Sequence, residues 1–236
     1  MKKVLWAGVL CAATSLIVLA DNTDDLKAAA QKLADQSNYS WATTVEVPGS
    51  QYTPAPRLGK ANKDGFIMVS TEMQNVTTEA VMKGEKGVVK TDSGWKTETD
   101  LEAPGPNNRG AMFQRMLLNT KAPSAEVADL ATKVKELKKD EGILSGDLTE
   151  EGAKQLMTMG RRNRANAPAP KDAKGSVKIW VKDGMVQKYI LKVEGKIRFG
   201  QDQQERAIER ITTTEIKDIG TTKMDIPDEA KKKVAE

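Results

Sequence analysis

The chain has 236 residues, with 37 Lys and Arg against 33 Asp and Glu, one cysteine and no histidine. Without histidine, no Ser-His-Asp triad, Cys-His pair or His-bearing zinc site can be built. A formal charge of +4 is too close to neutral for general polyanion binding, so nucleic acid is not an expected partner.

Residues 1–20, MKKVLWAGVLCAATSLIVLA, read as a cleavable secretory signal peptide. Lys2 and Lys3 precede an apolar stretch from Val4 to Leu19, and Val18-Leu19-Ala20 supplies the small or modest residues that a signal peptidase reads. The stretch is short for a membrane span and runs straight into Asp21, Asp24 and Asp25. Cys11 follows Leu10 rather than a small residue, so it belongs to the signal and is not a lipid acceptor. The mature chain then has no cysteine and no disulfide, and packing alone must hold it. Losing Lys2 and Lys3 lowers the net charge from +4 to +2. The expected location is the periplasm or the exterior.

Thr23 to Gln36 has a helical pattern, with Leu26, Ala29, Ala30 and Leu33 on one face. Ser40 to Val47 alternates like a strand, with Trp41, Thr43, Val45 and Val47 on one side. A loop containing Pro48, Gly49, Pro54 and Pro56 follows, and then Arg57 to Lys96 reads as a meander of short antiparallel strands. In it Phe66-Ile67-Met68-Val69 is apolar on both sides, and Gly84–Gly87 and Asp92-Ser93-Gly94 are turns. A helical insert comes next: Ala111 to Leu118, then a helix opened by Ser124 and carrying Val127, Leu130, Val134 and Leu137, then Glu150 to Met159 capped by Thr149. Residues 160–174 lack periodicity and read as a flexible loop. Strands resume with a hairpin over residues 175–196, Ile208 to Lys217 and a short Thr221–Ile226 segment, before a charged tail over residues 228–236. Helix, strands, helices, strands is the order of an α+β domain, expected over residues 21–227.

The hairpin GSVKIWVKDGMVQKYILKVEGK allows two registers. A two-residue Asp183-Gly184 turn mixes lysine and large apolar groups on both faces. A three-residue loop with Gly184 in a left-handed bulge gathers Val177, Ile179, Val181, Met185, Tyr189, Leu191 and Val193 on one face. Register follows the hydrophobic pattern, so the second is expected, with Trp180, Val186 and Ile190 among lysines outside.

The layout resembles the bacterial periplasmic carriers of the LolA/LolB/LppX type. The residues that carry this are Gly94-Trp95 in the meander, Trp180-Val181-x-Asp183-Gly184, and Thr214 to Pro227 as closing strands. The resemblance implies a curled antiparallel sheet, a half-barrel, with helices covering its concave face and a lipid or lipoprotein acyl chain inside. It implies no cofactor or metal and no catalysis, and a monomer is expected. The residues expected to line the cavity come from strands and lid. Trp41, Val45, Phe66, Met68, Met82 and Trp95 come from the first strands, and Met112, Phe113, Met116, Leu117 and Met157 from the helices. Ile179, Tyr189 and Leu191 come from the hairpin. Pliable methionine suits ligands of variable shape, although it also fills ordinary cores.

Other features have plainer readings. Asp24-Asp25, Glu150-Glu151 and Asp228-Glu229 sit at helix starts, where carboxylates favour the dipole. Arg161, Arg162 and Arg164 form a basic knot that suits a solvated loop or transient contact with an anionic membrane surface. Asn38-Tyr39-Ser40 and Asn75-Val76-Thr77 match the glycosylation triplet, which arises often by chance. The expected function is therefore an exported carrier that shelters an acyl-chain-bearing ligand. The alternative is an envelope protein-interaction module using the Trp180 patch.

Overall fold

The computed structural model describes residues 22–51, 53–73, 76–101, 109–158, 169–199 and 204–235. Among the described residues, eleven antiparallel strands form one open sheet. The first meander is β1 (Asn38–Glu46), β2 (Arg57–Asn62), β3 (Phe66–Met73), β4 (Val76–Lys83), β5 (Lys86–Thr91) and β6 (Gly94–Thr97). The second is β7 (Lys138–Asp140), β8 (Ile143–Asp147), β9 (Lys171–Lys182), β10 (Met185–Phe199) and β11 (Gln204–Lys217). The two meanders join where β1 pairs with β11, so β6 and β7 are the free edges of a curled half-barrel.

Helices α1 (Asn22–Ala34), α2 (Arg109–Leu118), α3 (Pro123–Leu130) and α4 (Glu150–Thr158) cover the concave face. α1 buries the predicted stripe Leu26, Ala29, Ala30 and Leu33 against α3 and β10. α4 starts where Thr149 accepts the Gly152 N–H at 3.0 Å, the cap expected of a threonine there. α2 lies over β4 and β5, and α4 over β9 and β10. The three carboxylate pairs do fall in the first turns of helices.

Five expectations need correction. The helix opened by Ser124 ends at Leu130 instead of running on, and Lys138–Asp147 is the hairpin β7–β8. Glu141 and Gly142 both have positive φ, 43° and 80°, which makes a tight mirror-image turn and lets β8 pair with β9. Val134 and Leu137 still reach the core, but from turns and a bridge to Leu148 rather than from helical register.

The β9–β10 hairpin has the two-residue turn, with Asp183 and Gly184 at φ 53° and 71° and Met185 opposite Lys182. A bulge between Val186 and Lys188 then shifts the register by one residue. Tyr189 thereby faces Ile179 and Leu191 faces Val177, so the single core face is achieved after all. The residue it gains is Val186, fully buried, in place of Met185.

The expected C-terminal tail is helix α5 (Asp228–Ala235), which lies on the other face of the sheet. Ile226, Ala230 and Val234 recur every four residues and bury a second cluster with Phe66, Val81, Val88 and Trp95. This explains why β3 is apolar on both sides. Strand β9 begins at Lys171, inside the stretch 160–174 expected as a loop, of which residues 160–168 lie outside the described residues. Thr221–Ile226 is turn and irregular chain rather than strand. The expected signal peptide and the Arg161–Arg164 knot lie outside the described residues.

Candidate functional site

Strand register sets the concave face out in rows. One row is apolar: Trp41 pairs with Ile216 on one side and Gly59 on the other, and Gly59 leads through Val69 to Ala80 and Val89. A second joins Val177 to Leu191, Thr212 and Val45. Between them runs a row rich in polar groups: Ile179, Tyr189, Thr214, Thr43, Arg57 and Thr71.

That middle row is tied to α3. The Tyr189 hydroxyl donates to Glu126 Oε2 at 2.5 Å, and Tyr39, two residues before Trp41 on β1, shares a 2.9 Å hydrogen bond with Ser124. Thr43 and Thr214 share another at 3.0 Å. Burial holds the Tyr189 phenol well above its ordinary pKa, with the Glu126 charge adding to the effect, so Tyr189 is the donor. Burial also raises the Glu126 carboxyl, against the lowering effects of the Tyr189 hydrogen bond and the Arg57 and Lys121 charges. Asp129 adds a small upward push. Arg57 is half-buried, and its guanidinium makes no hydrogen bond or ion pair among the described residues.

Of the residues expected to line a cavity, Trp41, Met82, Leu117, Met157, Ile179, Tyr189 and Leu191 are brought together in one cluster, each at most 4 % exposed. Phe113 packs against them partly buried, and Val45 is half-buried on the same face. Phe66, Met68 and Trp95 are on the opposite face under α5, where the alternation of β3 and the β5–β6 register, with Trp95 opposite Lys90, place them. Met116 is 38 % exposed on α2. Met112 falls in α2, but its side chain is outside the description.

Ile179 and Tyr189 have zero exposure, so no water-sized space adjoins them. A ligand reaching these residues must displace helix side chains. Among the described residues, a groove of about 460 Å³ lies elsewhere, at the ends of β2–β4, lined by Ala55, Pro56, Leu58, Ser70, Thr71, Glu72 and Thr77. No helix of the described residues is long and apolar enough to cross a membrane, and no cluster of three potential metal-ligating His, Cys, Asp or Glu occurs among them.

Sequence reading missed Glu126, Ser124, Arg57 and Arg210. Arg210 on β11 donates to the Leu156 carbonyl at 2.7 Å and so ties α4 to the sheet. Arg115 on α2 turns instead to the Leu101 carbonyl at 3.1 Å. The one available signal was Arg57, a charge standing inward in a strand whose inward neighbours Gly59 and Ala61 are buried.

No protein-family model and no curated protein matches this sequence. Among solved structures, the chain is similar to LprF from Mycobacterium bovis, with 11 % identity and TM-score 0.41 over 88 % of this chain and 96 % of that one. It is similar to the LolA superfamily protein NE2245 from Nitrosomonas europaea, with 13 % identity and TM-score 0.35 over 89 % and 96 %. A DUF1329 family protein from Desulfovibrio piger gives 10 % identity and TM-score 0.35 over the same shares, 89 % and 96 %.

Proposed function

We propose that this chain is an exported binding or carrier protein that shelters an acyl-chain-bearing ligand between its sheet and its helices. The observation that carries the reading is that lining and cover sit on separate elements. The apolar lining belongs to one continuous sheet, and much of its cover is short helices, α2, α3 and α4, strung between β6 and β9. A cover of this kind can move without breaking a strand pair. The exchange of helix side chains for an acyl chain is then nearly even in buried apolar area, at roughly 25 cal/mol per Å² on either side. The LolA/LolB/LppX resemblance of residues 174–227 favours the same reading.

The test is native mass spectrometry of gently purified protein together with titration of a fluorescent fatty acid. Uptake at one or a few molecules per chain is expected. A clean unliganded mass with no uptake at micromolar protein would end the carrier reading.

A second reading has its own observation. On the convex face Trp180 lies under Lys178 and Lys188, whose Nζ atoms are 5.2 and 5.7 Å from the ring, beside Ile143 on β8. An envelope protein that docks there would lose its grip on Trp180→Lys while the fold stays intact.

A further inference from the structure

The middle row of the concave face is hard to account for as packing alone. An apolar sheet face covered by helices gains nothing from a half-buried arginine that has no hydrogen bond or ion pair among the described residues, and burying a charge is costly unless something answers it. The row nevertheless pairs Arg57 with Thr43 and Thr71 across the strands, and brings the Tyr189 hydroxyl to Thr214. All of these are donors or hydroxyls, the groups that receive an anionic oxygen. Apolar rows run on either side, through Trp41 and Val69 in one direction and Val177 and Leu191 in the other. What fills the polar row in the chain alone is a carboxylate from the cover, Glu126 of α3, bonded to Tyr189 and within electrostatic reach of Arg57.

We infer that Arg57 and Tyr189 form a recognition site for the carboxylate head of a long-chain amphiphile, and that Glu126 occupies this site when no ligand is bound. The inference rests on the carrier reading and specifies its ligand. A long-chain carboxylate that enters with its tail along the apolar rows presents to Tyr189 and Arg57 the same group that α3 presents. The Glu126 side chain and the ligand head compete for one donor and one cation. Displaced, Glu126 returns to water, which relieves the burial that now disfavours its charge. Ser124, held by Tyr39, sits two residues earlier in the same turn, so release of Glu126 leaves the Tyr39–Ser124 hydrogen bond and the buried Val127 and Leu130 holding α3 in place.

The experiment compares oleate with oleyl alcohol, equal in tail and different in head, by calorimetric titration of the full mature chain at mildly alkaline pH. Oleate is expected to bind at least about tenfold more tightly, the scale of a charge-assisted hydrogen bond. Arg57→Leu should abolish the difference with little effect on the alcohol. Glu126→Gln should act in the opposite direction and tighten oleate several-fold, because it removes the competing charge. Thermal melts of each variant confirm that it is folded, and Tyr189→Phe provides a second loss-of-preference variant if Arg57→Leu is not. Equal binding of both amphiphiles to the unmodified protein, or an oleate preference untouched in a folded Arg57→Leu, overturns the inference and leaves the carrier reading standing. Binding of neither amphiphile overturns both.

Discussion

The indole of Trp41 lies flat against Gly59 on the neighbouring strand: a Cβ added to Gly59 would stand 2.1 Å from ring atoms Cε2 and Cζ2. Gly59 is therefore not there for backbone freedom. It is the floor on which the largest side chain of the concave face rests, directly across the β1–β2 pair. Gly59→Ala must push the ring out of place or bend β2. We expect a loss of about 1–3 kcal/mol, the usual cost of overpacking a core. Urea denaturation with Trp fluorescence will measure it, and a variant as stable as the parent would show that the ring has room to move.

Glu126 gives the chain a pH dependence whose sign can be worked out. Its folded pKa lies above the unfolded value, chiefly through burial, despite Tyr189, Arg57 and Lys121. The folded state thus holds this proton more tightly. The stability it contributes is complete below the ordinary glutamate value, about 4.3, and is lost as pH rises through the raised folded pKa. The difference in unfolding free energy between the parent and Glu126→Gln should therefore shift against the parent across that window and level off above it. A difference that is flat with pH would show that the Glu126 carboxyl titrates alike in both states. Comparing the two chains cancels the opposite, acid-side contributions of carboxylates away from Glu126 whose pKa values are lowered, such as Glu194 and Glu205.

Helix α5 is a structural part of the domain and not a dispensable tail. Val234 is 3 % exposed and packs with Ala230 and Ile226 over Phe66, Val88 and Trp95. Lys233 adds a hydrogen bond to the Trp95 carbonyl at 2.6 Å. Ile226→Ala should cost about 2 kcal/mol, near the low end for removing a buried isoleucine, since Ile226 sits at the rim. Deleting residues 228–236 should bare an apolar patch and raise binding of a hydrophobic dye. Unchanged melting and unchanged dye binding after the deletion would mean that the outer face needs no cover.

At the start of α4, Thr149→Ala removes the hydroxyl that accepts from Gly152. A loss of about 1 kcal/mol is expected, as for other threonine caps. Hydrogen exchange should locate the loss in the first turn of α4 and leave β9 protected. Loss spread evenly over the domain would instead show that the first turn of α4 does not open apart from the rest of the fold.

Much of the architecture was legible because its signals are local. The i, i+3, i+4, i+7 stripe of α1 and the alternation of β1 fixed which side of each element is buried, whatever packs there. The Gly-rich turns of β2–β6 gave the meander, since positive-φ residues such as Gly84 and Gly94 can close only certain connections. Helical spacing at Val134 and Leu137 misled, because two residues three apart fit a turn as well as a helix. The left-handed pair Glu141-Gly142 was the better signal.

By itself the sequence determined the α+β order, the absence of histidine chemistry and the apolar rows of each strand, all properties of residues close along the chain. Tertiary structure alone decided which rows share a face. It put Phe66 and Trp95 under α5 and away from Trp41, and it used a bulge at Gln187 to bring Tyr189 inward. It also set Glu126 against Tyr189 across 63 residues. Such pairings depend on how strands of different lengths register and twist over one another, and no short window of residues encodes that.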